Sequence, residues 1–327
     1  MRTLVTGAAG FIGSHLVDRL LADGHQVVGI DNLSAGTTDN LQQALRFKRL
    51  RPGRFSFARA DIRAPEIADI VAGANPEVIF HLAAQVDVGA SVFDPQFDAR
   101  TNILGTINLC EASRWTGVRR VVYAACGGSR FGVPACVPVD EGAEVNPLSP
   151  YAVAKLAGEM YLRAYAEMYD LAPICLALAH VYGPRRNPRS ADVVAVVGSA
   201  MVAGRPFAVY RDRADSDDYV YVDDAVDAFV RAGCAAVETT GTYNIGSGRH
   251  ATVTEVYDLI SAALGVPLPQ SAAEIWGDER QAIALNPAKA EEVLGWRATV
   301  SLPEGIRRTI DWLCATVEPE PPVLIGA

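Results

Sequence analysis

The chain lacks the residue patterns that mark metal sites, disulfide frameworks and membrane spans. Its six cysteines (Cys110, Cys126, Cys136, Cys175, Cys234, Cys314) stand at least ten residues apart. With no CxxC pair, neither a zinc site nor a disulfide scaffold is implied, and the cytoplasm is the expected compartment. Five scattered histidines form no HxxxH or HExxH, so no metal is expected. Basic runs are missing as well: Lys and Arg number 29 against 38 Asp and Glu, a formal charge of −9, and the positive clusters are pairs such as Arg119-Arg120 and Arg307-Arg308. Nucleic acid and anionic membrane surfaces, which need a positive footprint, are therefore not expected partners. Glycines break the apolar run LVTGAAGFIG, while VVYAAC and AVVGSAMV fall far short of a bilayer span. The opening MRTLVTG enters a strand pattern at once, so no signal peptide is expected.

What remains is ordinary globular usage in 327 residues, half of them apolar, enough for one large domain and a smaller one. Short apolar strands (3–7, 26–31, 55–61, 77–83, 119–125 and 172–179) alternate with helix-length segments such as FIGSHLVDRLLADG, whose Ile12, Leu16, Leu20 and Leu21 share a face. Strands of that kind between amphipathic helices predict an α/β fold, a doubly wound parallel sheet covered on both faces. We expect a Rossmann domain over 1–180. A smaller mixed α/β substrate-binding lobe is expected over 181–327, with the chain returning to the sheet around 218–246. The tail EPEPPVLIGA is expected to be loosely held.

Glycines 7, 10 and 13 in TGAAGFIG follow the first strand and open the first helix. Such glycines let the chain turn sharply and let backbone N–H groups approach a pyrophosphate at a helix N-terminus. Asp31 ends the second strand about twenty residues on, the placement of a ribose-binding carboxylate. A carboxylate there would repel a 2′-phosphate and no Arg follows it, so NAD is the expected cofactor. Asp61-Ile62 ends the third strand, where Asp61 either brackets an adenine or caps a helix. In SPYAVAKLAGEMY, Tyr151 and Lys155 share one face of a helix that Ser149 can cap and Pro150 can start. An ammonium beside a phenol stabilises the phenolate and makes a usable base.

These motifs, together with HLAAQVDV, NILGTINLCEA, HVYGPRRNP, DYVYVDDAVDAF, YNIGSG and LGWRATVSLPEGIRRTIDW, resemble the extended short-chain dehydrogenases/reductases, specifically the nucleotide-sugar 4-epimerases of the UDP-glucose 4-epimerase type. The resemblance runs nearly end to end. It implies that Tyr151 is the base, that Lys155 tunes it and anchors a ribose, and that Phe11, Ile12, Asp31, Asn32, Asp61, Ile62, Leu82, Ala83, Ala84 and Asn102 line NAD. It also implies a homodimer through the helices around 101–115 and 150–169. The sugar is expected to be glucose/galactose or glucuronate, linked to UDP.

The chain departs from the family at a few positions. Cys126, in AACGGSRFG, stands where the family carries a Ser or Thr that hydrogen-bonds the reacting oxygen. It is either a hydrogen-bonding thiol or a packed, inert one. On the diphosphate side His180 replaces Asn, while Asp217 and Ile275 replace Arg. Arg280, Arg211, Arg213 or Arg249 would then have to supply the phosphate charge, and Arg130, Arg185 and Arg186 are candidates for a sugar carboxylate. Two alternatives stand beside epimerisation: a related oxidoreductase on a sugar lacking the diphosphate, and an idle NAD-binding protein.

Overall fold

The structure, a computed structural model, describes residues 1–188, 192–205, 216–267 and 283–317. Among the described residues ten strands occur in chain order: β1 (Arg2–Thr6), β2 (Gln26–Asp31), β3 (Phe55–Arg59), β4 (Val78–His81), β5 (Arg120–Cys126), β6 (Ala172–Leu178), β7 (His180–Tyr182), β8 (Ser216–Tyr221), β9 (Gly241–Ile245) and β10 (His250–Thr252). Seven of them form one sheet in the order β3-β2-β1-β4-β5-β6-β9, every neighbouring pair parallel.

Successive side chains of a strand point to opposite faces, and the core divides accordingly. Leu4, Ile79 and Val121 face one apolar cluster, while their neighbours Val5, Phe80 and Val122 face the other. The helices are α1 (Phe11–Ala22), α2 (Gln42–Leu50), α3 (Ile67–Ala74), α4 (Val88–Phe93), α5 (Pro95–Ala99), α6 (Gly105–Thr116), α7 (Pro150–Tyr169), α8 (Val193–Val202), α9 (Val222–Cys234), α10 (Val253–Leu264), α11 (Ala288–Leu294) and α12 (Leu302–Thr316). Val5 and Phe80 pack with Leu16 and Leu20 of α1 and Phe229 of α9, whereas Leu4 and Val121 pack with Val71 of α3, Leu109 of α6 and Leu162 of α7. The doubly wound sheet expected from the alternation is therefore present.

The stretch expected to return to the sheet divides in two. Its end, β9, extends the sheet beside β6, whereas β8 pairs in parallel with β7 and antiparallel with β10 in a small mixed sheet. The helix expected around 101–115 is interrupted by a π-turn over Arg100–Leu104, which lies between α5 and α6 and carries Asn102. A π-turn inserts an extra residue into the helix and often marks a functional site. Here it accompanies a bond from Asn102 Nδ2 back to the carbonyl of Gln85 (2.9 Å). The tail 318–327 lies outside the described residues.

Candidate active site

Parallel sheets bind ligands beyond the carboxyl ends of their strands, and the predicted residues gather there. Gly7 adopts φ +72, and a Cβ on it would stand 2.8 Å from the Ala83 nitrogen. A Cβ on Gly13 would stand 1.9 Å from the Gly7 carbonyl oxygen, so α1 can lie this close to the turn only with glycine there. Gly10 is the N-cap of α1 but offers no side-chain cap, and no acidic residue occupies the first turn. The helix N-terminus, with Phe11 and Ile12 leading it, keeps its N–H groups and partial positive charge for an anion.

Asp31 is 8% exposed, and each carboxylate oxygen accepts one backbone N–H, from Leu33 (2.7 Å) and Ala9 (2.9 Å). The remaining lone pairs suit a ribose diol. Asn32 donates to Asp61 Oδ2 at 2.8 Å, and the Arg63 fork grips both Asp61 oxygens at 2.9 and 2.7 Å. The Arg63 fork first, and Asn32 after burial is offset, hold the Asp61 carboxyl well below the usual range. Asp61 thus caps no helix; it braces the end of β3. Ile62 is buried against Gly105, where a Cβ would come within 2.6 Å of Ile62 Cδ1. Leu82 and Ala83 donate backbone N–H groups to the carbonyl and hydroxyl of Thr6 (both 3.2 Å), and Ala84 follows in the same loop. Asn102 closes that loop by accepting the Gln85 N–H at 2.9 Å. Open N–H donors, no intruding Cβ and a placed carboxylate fit a dinucleotide.

Ser149 caps α7, its hydroxyl accepting the Ala152 N–H at 3.2 Å, and Pro150 starts it. Tyr151 and Lys155 consequently stand one turn apart. Lys155 is 4% exposed, with Nζ 4.1 Å from the Tyr123 ring centroid. Burial pushes its ammonium down to about 8, opposed by Cys126, Cys175, Asp98 and Glu159. Burial, and next the neighbouring Cys126, push the Tyr151 phenol up, while Arg186 pulls it down. Cys126, half-buried at the end of β5, lies near enough to act on both. The chain turns away after it because Gly127, where a Cβ would meet the Leu178 carbonyl oxygen at 2.5 Å, donates to that same oxygen at 3.0 Å.

On the substrate side the predicted cations part company. Arg130 is buried in a two-pronged ion pair with Glu159 of α7 (2.9 and 3.2 Å), and Glu159 also accepts from Thr242. Arg185, at φ +66, pairs with Asp18 of α1 at 2.8 Å and donates to the Asn40 carbonyl. Both are held inside the protein, contrary to the expectation of a free fork toward a sugar carboxylate. Arg186 lies over the Phe11 ring (5.2 Å) and 3.9 Å from Asp192. His180 donates from Nε2 to Asp192 Oδ2 at 2.8 Å and packs on Tyr219 at 5.2 Å. Asp217 is exposed on β8. Arg280, Arg211, Arg213 and Ile275 lie outside the described residues. Among the described residues no three His, Cys, Asp or Glu side chains gather to hold a metal ion, and no helix is long and apolar enough to cross a membrane.

A model described as the NAD dependent epimerase/dehydratase family matches residues 3–246. The UDP-glucose 4-epimerase of Mycolicibacterium smegmatis is 48% identical over 314 residues, covering 95% of this chain and 98% of that protein. The chain belongs to the NAD dependent epimerase/dehydratase family. Among solved structures, a UDP-glucose 4-epimerase with UDP-glucose from Thermotoga maritima is similar at a TM-score of 0.89 and 38% identity, covering 97% of this chain and 100% of that one. The UDP-glucose 4-epimerase of Thermus thermophilus in complex with NAD is similar at 0.87 and 37%, with the same coverage. NAD is the cofactor of this epimerase family, as Asp31 led us to expect.

Several residues around the epimerase-family motifs escaped the sequence. Ser91, fully buried, accepts the Tyr151 N–H at 3.2 Å and so fixes the start of α7. His81, buried between the hydroxyls of Thr6 (2.9 Å) and Thr106 (3.0 Å), is pushed down to about 3 by burial and then by Lys155, which keeps it neutral behind the lysine. Asp192 caps α8 through Ala195 while holding His180. An Asp immediately before the apolar run VVAVV was a readable cap signal; its hold on His180 was not.

Proposed function

We propose that this chain is a UDP-glucose 4-epimerase, interconverting UDP-glucose and UDP-galactose through a 4-keto sugar. The observation that carries the reading is the gathering of Tyr151, Lys155 and Cys126 at the carboxyl edge of the sheet, beside the glycine cradle. Tyr151 takes the proton of the sugar 4-hydroxyl and later returns it. The Lys155 ammonium steadies the phenolate, and the charge of Arg186 adds to it. The Cys126 thiol stands to hydrogen-bond O4, more weakly than a hydroxyl would. NAD, when bound, supplies the hydride acceptor and donor for C4. Gly7, Gly10, Phe11, Ile12 and Gly13 would hold its pyrophosphate, Asp31 and Asn32 its adenosine ribose, and Asp61 and Ile62 its adenine. Leu82, Ala83, Ala84, Asn102 and Lys155 would hold the nicotinamide half.

In this reading residues 1–180 carry the cofactor and 181–327 the substrate, with His180 and Arg186 toward the diphosphate. A neutral hexose is favoured over glucuronate because Arg130 and Arg185 already face carboxylates. Purified protein incubated with UDP-glucose, UDP-galactose and UDP-glucuronate should equilibrate the first two. No interconversion of any, with NAD released on denaturation, would remove the reading in favour of an idle NAD-binding protein.

The assembly we propose is a homodimer. Val153, Met160 and Met168 expose an apolar stripe along α7, and Leu104 and Trp115 do so at the two ends of α6. A second copy would cover that surface, and a monomeric mass by light scattering would refute it. The free thiols suit the reducing cytoplasm, where we place the enzyme.

A further inference from the structure

Next to Tyr151 and Lys155 lies a carboxylate that the proton transfer leaves unexplained. Asp98 sits on α5, which packs against α7, and is 1% exposed. Its Oδ1 accepts from Gln85 Nε2 and from Asn102 Nδ2, each at 3.0 Å. Asn102 in turn is bonded to the Gln85 backbone in both directions at 2.9 Å, so this one oxygen anchors both the loop after β4 and the π-turn. Oδ2 is buried and has no hydrogen-bond partner among the described residues. Leaving a buried carboxylate oxygen without a donor is costly, so its retention needs a compensating charge.

The cation facing Asp98 is Lys155. Lys155 is faced in addition by Cys126 of β5, Cys175 of β6, His81 of β4 and Glu159 of its own helix. Tyr151 is faced by Cys126, Arg186 and Asp98. We propose that Asp98 is a positioning residue for the Tyr151–Lys155 pair: one carboxylate oxygen fixes Asn102 and Gln85 against α7, and the other presents its charge to Lys155. The proposal rests on the reading of Tyr151 and Lys155 as the proton-transferring pair.

A proton on Oδ2 would be a buried donor with no acceptor among the described residues, and the neighbouring ammonium opposes it. Burial does raise the Asp98 carboxyl, but Gln85, Lys155 and Asn102 all pull it back. Removing the charge has a definite sign at both partners. Lys155, already lowered by burial, loses one of the groups holding it up and falls further. Tyr151, held high partly by Asp98, falls too. Both limbs of the rate profile therefore move toward lower pH, which a purely structural defect would not produce.

Asp98→Asn keeps the acceptor for Gln85 and Asn102 and removes the charge. For the holoenzyme we expect the alkaline limb of kcat for UDP-glucose to move acidward by about half a unit or more, with KM nearly unchanged. A second readout needs no turnover: the phenolate ultraviolet titration of Tyr151, taken as the difference from a Tyr151→Phe protein, should have a lower midpoint in D98N. Asp98→Glu, which retains charge, should restore the wild-type profile. If D98N does not fold, Asp98→Ser serves for both measurements. A rate profile and phenolate midpoint that stay in place in the uncharged variant would overturn the proposal. Absence of turnover in the wild type would instead strike the functional reading, and the phenolate titration would still decide for Asp98.

Discussion

Replacing Arg130 with methionine separates the two roles open to that residue. The side chain is 7% exposed and its partner Glu159 is 14% exposed, so the pair is interior rather than a surface contact. An exposed pair would be worth about 0–1 kcal/mol. Removing one member of a buried pair instead strands the other charge, typically at a cost of about 3–5 kcal/mol. Two features pull the expectation toward the lower end. Glu159 keeps a donor in the Thr242 hydroxyl at 2.5 Å, and Arg130 Nε is itself buried without a partner among the described residues, so the intact pair is imperfectly satisfied.

About 3 kcal/mol in a chain of this length corresponds to a fall in Tm of roughly 6 °C, taking about 2 °C per kcal/mol. Thermal denaturation followed by circular dichroism measures it. Well below that temperature, KM for UDP-glucose should match the wild type, because Arg130 is turned to Glu159 and not to the ligand. The double variant Arg130→Met with Glu159→Leu should recover most of the loss, since no charge is then left alone. An R130M protein that melts with the wild type while its KM rises tenfold would refute this, and would return Arg130 to the substrate.

Cys126→Ser should keep or raise kcat, since a hydroxyl is the better donor to the reacting oxygen. A loss of tenfold or more, about 1.4 kcal/mol of transition-state stabilisation, would show that the thiol itself is required. His180 offers the pH-dependent test. Burial alone would lower its pKa, but the hydrogen bond and charge of Asp192, with Asp217, outweigh burial and the repulsion of Arg186, leaving it raised. The imidazolium is present below that raised pKa, so KM for UDP-glucose should fall as pH drops through the titration while kcat does not follow it. His180→Asn should flatten the trend, and a KM equally pH-dependent in that variant would place the titrating group elsewhere.

What the sequence made legible were demands the backbone makes locally. The alternation that sends Leu4 and Val5 to opposite faces, the glycine at 13 that leaves space for the Gly7 carbonyl, and the Ser149-Pro150 start of α7 are each fixed within a few residues. The cations were another matter, because a sequence displays a charge without the partner that folding brings to it. Arg130 reads as available until α7 supplies Glu159, and Arg185 until α1 supplies Asp18. Arg186, adjacent in sequence to Arg185, lies over Phe11 and stands 3.9 Å from an Asp192 already engaged with His180 and Ala195. With Arg130 and Arg185 paired internally, the charge we propose for the diphosphate side is that of Arg186 and His180. It follows that substitution at His180 or Arg186 should act on KM, whereas substitution at Arg130 or Arg185 should act on stability, and the contrast between the two pairs tests the placement of the substrate directly.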